Sequence, residues 1–318
     1  MMRDTTPSPT HDAIERLRRS IGSVFLGNPS AVDGAICCLL ARGHLLIEDV
    51  PGVGKTILAS AIARSVDCTF SRIQLTPDMM PADVIGVSIY DKESGQFAFK
   101  PGPVFANILL ADEINRTTPR TQSALLEAMS EGSVSVDGRT LTLDPPFMVI
   151  ATQNPYEFEG TYLLPENQLD RFLMRIGLGY PAPEDEAKVI ELRPASTVLS
   201  SLAPVMHRED VIGLQRAVDA VRVDRSLVDY IVALANATRR HDGVQVGLSP
   251  RGSLALAQAA RASALMDGRE YAIPEDVTSN IIRVCAHRII PRVAMAESEQ
   301  NASRRILEEA MRSVPAPV

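Results

Sequence analysis

Short apolar runs and helical stripes alternate through the first half of this chain. Leu45–Ile47, Ser71–Leu75, Asn107–Ala111 and Phe147–Thr152 read as buried strands. Ala13–Val24 is amphipathic with helical spacing, and after the Asn28-Pro29-Ser30 break a second helix is expected from about Ala31 to Ala41. Strands separated by helices predict a mostly parallel sheet covered on both faces, an α/β architecture. Two segments interrupt the rhythm. Val87–Tyr90 and Gln96–Lys100 flank Asp91-Lys92-Glu93-Ser94-Gly95, and Ser133–Val136 and Thr140–Leu143 flank Asp137-Gly138, so two inserted β-hairpins are expected. Neither has an unbroken apolar face, so each should project from the body.

Past Pro181-Ala182-Pro183-Glu184-Asp185-Glu186 only helical periodicity remains: Ala187–Leu192, Arg208–Val221, Arg225–Arg240, Ser249–Met266 and Pro274–Arg288. The expected organisation is a Pro/Ser/Thr-rich disordered tail over 1–12, an α/β core over 13–182, an all-α domain over 183–313 and a short tail over 314–318.

Composition narrows the function classes. The 318 residues suffice for two domains, and 22 % charged with 45 % hydrophobic residues is ordinary for a globular chain. Lys and Arg number 32 against 39 Asp and Glu, a formal net charge of −7 that argues against a general nucleic-acid surface. The four cysteines, Cys37, Cys38, Cys68 and Cys285, lack metal-ligand spacing and read as reduced thiols of a cytoplasmic protein. No apolar run reaches membrane-spanning length, and the polar start does not read as a signal peptide.

The chemistry concentrates at strand ends. Pro51-Gly52-Val53-Gly54-Lys55-Thr56 follows the first strand and opens a helix beginning near Ile57, the arrangement that wraps a nucleotide triphosphate tail. Gly52 and Gly54 let successive N–H groups face the phosphates, Lys55 can reach the β- and γ-phosphates, and the Thr56 hydroxyl can sit on Mg²⁺. A strict pattern would have glycine at position 49, where this chain has Asp49. Leu109-Leu110-Ala111 runs into Asp112 and Glu113: the first suits Mg²⁺ and the second a water-activating base. Asn154 ends the next apolar strand and can fix the same water, although Asn154-Pro155 also suits a plain turn. Arg171 and Arg251 could supply positive charge to a phosphoryl-transfer transition state, or be solvated surface arginines.

These motifs together resemble an AAA+ ATPase, with Walker A, Walker B, sensor-1, arginine-finger and sensor-2 elements. The finer similarity is to the MoxR family, carried by Ile73-Gln74-Leu75-Thr76-Pro77-Asp78, by Gly102-Pro103-Val104-Phe105, by Asp112-Glu113-Ile114-Asn115-Arg116, by Gln122–Met129 and by Leu164–Phe172. It spans about Gly27 to Arg288. The resemblance implies an AAA+ P-loop core with a helical lid, ATP and Mg²⁺ as ligands, and a ring homo-oligomer, commonly a hexamer. ATP would be held by Gly27, Pro51, Gly52, Val53, Gly54, Lys55, Thr56, Ile57 and Asp112, with Mg²⁺ on Thr56 and Asp112. The catalytic set would be Glu113, Asn154, Arg171 and Arg251. Arg171 would act on the neighbour's nucleotide, with Arg175 its rival; whether Arg251 acts on its own or the neighbour's nucleotide stays open. Phe25, Leu26 and Gly27 sit where relatives hold the adenine edge. The two hairpins resemble the helix-2 insert and the pre-sensor-1 hairpin.

The resemblance further implies chaperone-like remodelling, assembly or metal-cofactor maturation of a client, with a separate von Willebrand factor A-domain partner. A nucleic-acid translocase or helicase is the rival from another class, and it should carry basic or aromatic hairpin tips. The tips here, Asp91-Lys92-Glu93-Ser94-Gly95 and Asp137-Gly138-Arg139, are nearly charge-balanced. A magnesium-chelatase-like motor subunit is a variant of the first reading. A non-hydrolysing nucleotide switch is disfavoured, because every expected hydrolytic residue is present. His241 and His287 read as structural, Met79-Met80 as core packing, and the arginines from Arg216 to Arg240 as a solvated helical face.

Overall fold

The computed structural model describes residues 9–93, 95–155, 161–162, 164–192, 199, 201–292 and 298–317. In chain order these form α1 (Pro9–Gly22), α2 (Pro29–Leu40), β1 (Leu45–Glu48), α3 (Lys55–Ser65), β2 (Phe70–Gln74) and α4 (Pro81–Ile85). A hairpin of β3 (Gly86–Asp91) and β4 (Gln96–Pro101) precedes β5 (Ile108–Asp112) and α5 (Pro119–Glu131). A second hairpin, β6 (Ser133–Val136) with β7 (Arg139–Thr142), leads to β8 (Met148–Gln153), α6 (Glu166–Leu169) and β9 (Met174–Ile176). The remainder is α7 (Pro183–Leu192), α8 (Arg208–Ala220), α9 (Arg225–Arg240), β10 (Val244–Val246), α10 (Pro250–Met266), α11 (Pro274–Cys285), β11 (Ile290–Pro291) and α12 (Glu299–Ser313).

Five strands make one parallel sheet in the order β2-β5-β8-β1-β9. Side chains alternate across it with the strand period of two. Leu45, Ile47, Ile108, Leu110, Met148 and Ile150 enter one apolar cluster; Leu46, Leu109, Ala111, Val149 and Ala151 enter another on the opposite face. Burial on both faces explains why these strands read as continuous apolar runs. The first cluster continues through α1, α2 and α3 into the lid residues Leu214, Leu234, Leu256 and Val284, so lid and core share one interior on that side. Gln215 Nε2 donates to the Leu39 carbonyl at 2.8 Å across that contact, and Arg42 pairs with Asp219 at 2.6 Å.

The expected α/β core, its two hairpins and the helical lid are all present. Among the elements that escape the sequence pattern are β9, the small antiparallel pair β10–β11, and α12. Met174–Ile176 is short, and Arg175 interrupts its apolar run. The first hairpin stands out from the body with Val87, Ile89, Tyr90 and Phe97 exposed, Phe97 at 72 %. Tyr90 and Phe97 meet edge-to-face with ring centroids 5.3 Å apart. Ser88 Oγ donates to the Asp137 carboxylate, tying the first hairpin to the turn of the second.

Candidate active site

Because all five strands run parallel, their C-terminal ends share one edge of the sheet. The chain leaves β1 there through the glycine loop, in which Gly52 and Gly54 have φ of +87° and +95°. That region of backbone space favours glycine. A Cβ built on Gly52 would meet nothing within 4 Å, so the curl opens onto free space at the N-terminus of α3. Lys55 Nζ donates to the Asp49 carbonyl at 2.7 Å. Burial lowers the Lys55 pKa, and the charges of Asp49, Asp112 and Glu113 oppose that shift. Thr56 lies in the same first helical turn. Beside the loop is a mostly apolar slot lined by Val24, Phe25, Leu26, Gly27, Val53, Ile57, Pro181 and Val189. The Phe25 ring packs so closely on Gly27 that a Cβ there would stand 2.4 Å from it. The slot and cradle adjoin as a nucleobase and its phosphates require.

Two strands over on the same edge, beyond β8, β5 ends in Asp112, 7 % exposed, with Glu113 directly after it. Thr152 of β8 joins them: its hydroxyl donates to Asp112 Oδ1 at 3.1 Å and accepts from the Glu113 N–H at 2.9 Å. Glu113 is held at φ +59°, a left-handed conformation that costs a non-glycine residue about 1 kcal/mol or more. Arg72 Nε donates to Asp112 Oδ2 at 2.7 Å, and Arg116 Nη1 donates to Glu113 Oε2 at 2.9 Å. Asn154 follows β8 on the same edge. Thr152, Arg72 and Arg116 were not singled out from the sequence. For Arg116 a signal existed, since a spacing of three from Glu113 puts both on one side of a turn.

The arginines divide differently. Arg171 precedes β9, so it stands at the N-terminal edge of the sheet, and its Nη1 donates to the Leu126 carbonyl of α5 at 2.6 Å. Roughly 13 Å of strand separates the two edges. Arg251, at the start of α10, is 3.5 Å from Asp170 through Nε, which sets it beside Arg171 and away from its own glycine loop. Asp170 also accepts from Arg288 Nε at 2.7 Å. Arg288, buried, donates further to the carbonyls of Asp170, Phe172 and Leu173, gripping the chain on both sides of Arg171. Arg175, the rival candidate, lies in β9 and pairs with Glu48 at 3.3 Å. Burial raises the Glu48 pKa and lowers that of Arg175 in spite of the pairing, the mark of an enclosed ion pair.

No group of three or more His, Cys, Asp or Glu that could cage a metal occurs among the described residues. Mg²⁺ bound with a nucleotide needs no cage, since one or two carboxylates, a hydroxyl, phosphates and waters suffice. Asp112 and Thr56, flanking the open cradle, fit that requirement.

Comparison with known proteins gives the same picture. Residues 44–174 match the model of the ATPase family associated with various cellular activities, and residues 236–310 match an AAA lid domain. The uncharacterised protein YeaC of Bacillus subtilis is 48 % identical over 97 % of this chain and 96 % of its own length. Chaperone MoxR1 of Mycobacterium tuberculosis is 43 % identical over 87 % of this chain and 75 % of its own. A crystal structure from Cytophaga hutchinsonii, described as a candidate ATPase, superposes with a TM-score of 0.87 at 36 % identity, covering 97 % of this chain and 96 % of that one.

Proposed function

Because this chain belongs to the MoxR family of AAA+ ATPases, we propose that it hydrolyses ATP in a ring of identical subunits to remodel a client protein. The carrying observation is the split of charge between the two sheet edges: Lys55, Asp112 and Glu113 gather at one, Arg171 and Arg251 at the other. A single subunit then holds each half of a hydrolytic centre but cannot close it, which a ring of subunits, commonly a hexamer, would do.

In this reading the base enters the slot of Phe25, Leu26 and Gly27. The Pro51–Thr56 loop wraps the phosphates and continues into Ile57. Lys55 leaves the Asp49 carbonyl for the β- and γ-phosphates. Thr56 and Asp112 would hold Mg²⁺, which supplies charge neutralisation to the phosphoryl group. Glu113 takes a proton from the attacking water, and Asn154 orients that water. Arg171 and Arg251 of the adjoining subunit neutralise charge developing on the γ-phosphate. Arg175, enclosed with Glu48, takes no part. The test is hydrolysis by Glu113→Gln: ATP should still bind while turnover is lost, and unchanged steady-state hydrolysis sinks the mechanism.

A protein client suits the first hairpin, whose exposed Val87, Ile89, Tyr90 and Phe97 offer apolar area with little positive charge. The partner is placed as a separate von Willebrand factor A-domain protein and the compartment as cytoplasm. All four cysteines are free, as a reducing compartment would keep them. Capture of the tagged Glu113→Gln protein from its native cell should recover such a partner; consistent recovery without one counts against that part.

A further inference from the structure

Asp49 occupies the position where a strict glycine-loop pattern has its first glycine, and its carboxylate works outside that loop. Oδ2 accepts from two successive backbone N–H groups, those of Leu178 and Gly179, each at 2.7 Å. Oδ1 accepts from the Val50 N–H at 2.8 Å. Leu178 and Gly179 lie on the strap between β9 and α7, where Gly179 takes φ of +69°. Pro181, farther along the strap, and Val189, in the α7 helix that the strap leads into, line the apolar slot beside Gly27, Val53 and Gly54. The Asp49 carbonyl meanwhile accepts from Lys55 Nζ. A glycine at this position could supply only the last of these contacts. Paired N–H groups converging on one carboxylate oxygen make a charge-assisted contact, stronger than ordinary loop hydrogen bonds.

We propose that Asp49 is a positioning residue for nucleotide retention. Its carboxylate pins the strap, so that Pro181 and Val189 close the base slot, and release of nucleotide requires that pin to loosen. The substitution thus moves the first loop position from serving the phosphates to holding the lid entrance. The inference rests on the nucleotide reading of the same site.

The test compares Asp49→Gly and Asp49→Asn with the unaltered full chain. Amide hydrogen exchange is read without nucleotide, and release of N-methylanthraniloyl-ADP is followed by stopped flow. In Asp49→Gly the Leu178 and Gly179 amides should exchange faster while the β1 amides keep their protection. Release should quicken about tenfold, with KM for ATP rising in parallel and kcat changing less, on the scale of a lost charge-assisted hydrogen bond. Asp49→Asn keeps one acceptor oxygen and should fall between. Unchanged exchange at Leu178 and Gly179, or faster exchange with unchanged release, overturns the proposal. Where Asp49→Gly fails to fold, Asp49→Asn decides: faster strap exchange with faster release supports the pin, and behaviour identical to the unaltered chain refutes it. Lys55→Ala keeps the two readings apart. If that variant binds the fluorescent ADP as tightly as the unaltered chain, the nucleotide reading fails, while strap exchange still reports on Asp49.

Discussion

The two edges of the central sheet are built from the same residue types and behave in opposite ways. At the C-terminal edge, Lys55, Glu113 and Arg72 are partly open to solvent around a buried Asp112. Lys55 rests on a backbone carbonyl, Arg72 on Asp112 and Glu113 on Arg116, contacts that a phosphate could replace. At the N-terminal edge, Arg288 is 9 % exposed and spends its donors on the Asp170 carboxylate and four backbone carbonyls, those of Asp170, Phe172, Leu173 and Val284. The first edge is arranged for exchange and the second for stiffness. Arg171 is therefore delivered on a rigid mount, and Arg251, 55 % exposed on its side chain, stands beside it on the lid. A transition-state charge needs such a mount, because a donor that must be ordered at the moment of reaction contributes less.

Breaking each edge should give a distinct signature. Arg171→Ala should lower kcat by about 10³–10⁵-fold, the range for an arginine finger, with nucleotide affinity at the chain's own loop largely kept. Mixing it with Glu113→Gln, two inactive proteins, should restore measurable hydrolysis; no recovery in a mixed assembly would refute a site shared between subunits. Glu113→Gln alone should lose about 10²–10⁴-fold in turnover. Arg288→Met should destabilise the fold by about 3–5 kcal/mol in denaturant unfolding, since it strands Asp170 and several buried carbonyls. A loss below about 1 kcal/mol would show that the mount is not stiff.

The smallest effect concerns pH. His44, just before β1, accepts from the Val149 N–H through Nδ1 and reaches the Met129 carbonyl through Nε2. Burial pushes its pKa down to about 4. The unfolded chain, titrating near 6.5, binds more protons between those values, so stability is complete above about pH 6.5 and falls as pH drops toward 4. The loss amounts to about 3 kcal/mol, and buried His287 acts in the same direction. Thermal unfolding of His44→Gln should show a flatter dependence across that window; an unaltered slope would exclude His44 as the source.

What the sequence made legible follows from spacing. Asp112 and Asn154 announce themselves because a buried strand must end in something polar, and Lys55 because glycines bracket its loop. The fold class was readable for the same reason: strands buried on both faces leave continuous apolar runs. β9 was not, because a short strand with Arg175 at its centre has no period to detect. Arg72, Thr152 and Arg288 were invisible for another reason. Each acts on a residue far away in sequence, through a contact that only the sheet order creates: Arg72 and Thr152 flank Asp112 because β2 and β8 are the neighbours of β5.

The hydrogen bond from Ser88 to Asp137 gives the two projecting hairpins a common mechanical fate. Pulling on Phe97 at the end of the first would load the ladder down to Ser88 and pass through Asp137 into the second. The second hairpin is rooted at the end of α5, the helix whose Leu126 carbonyl holds Arg171. Under the proposed mechanism, traction on a client at the first hairpin would thus be felt at Arg171, as the tip of a lever is felt at its fulcrum.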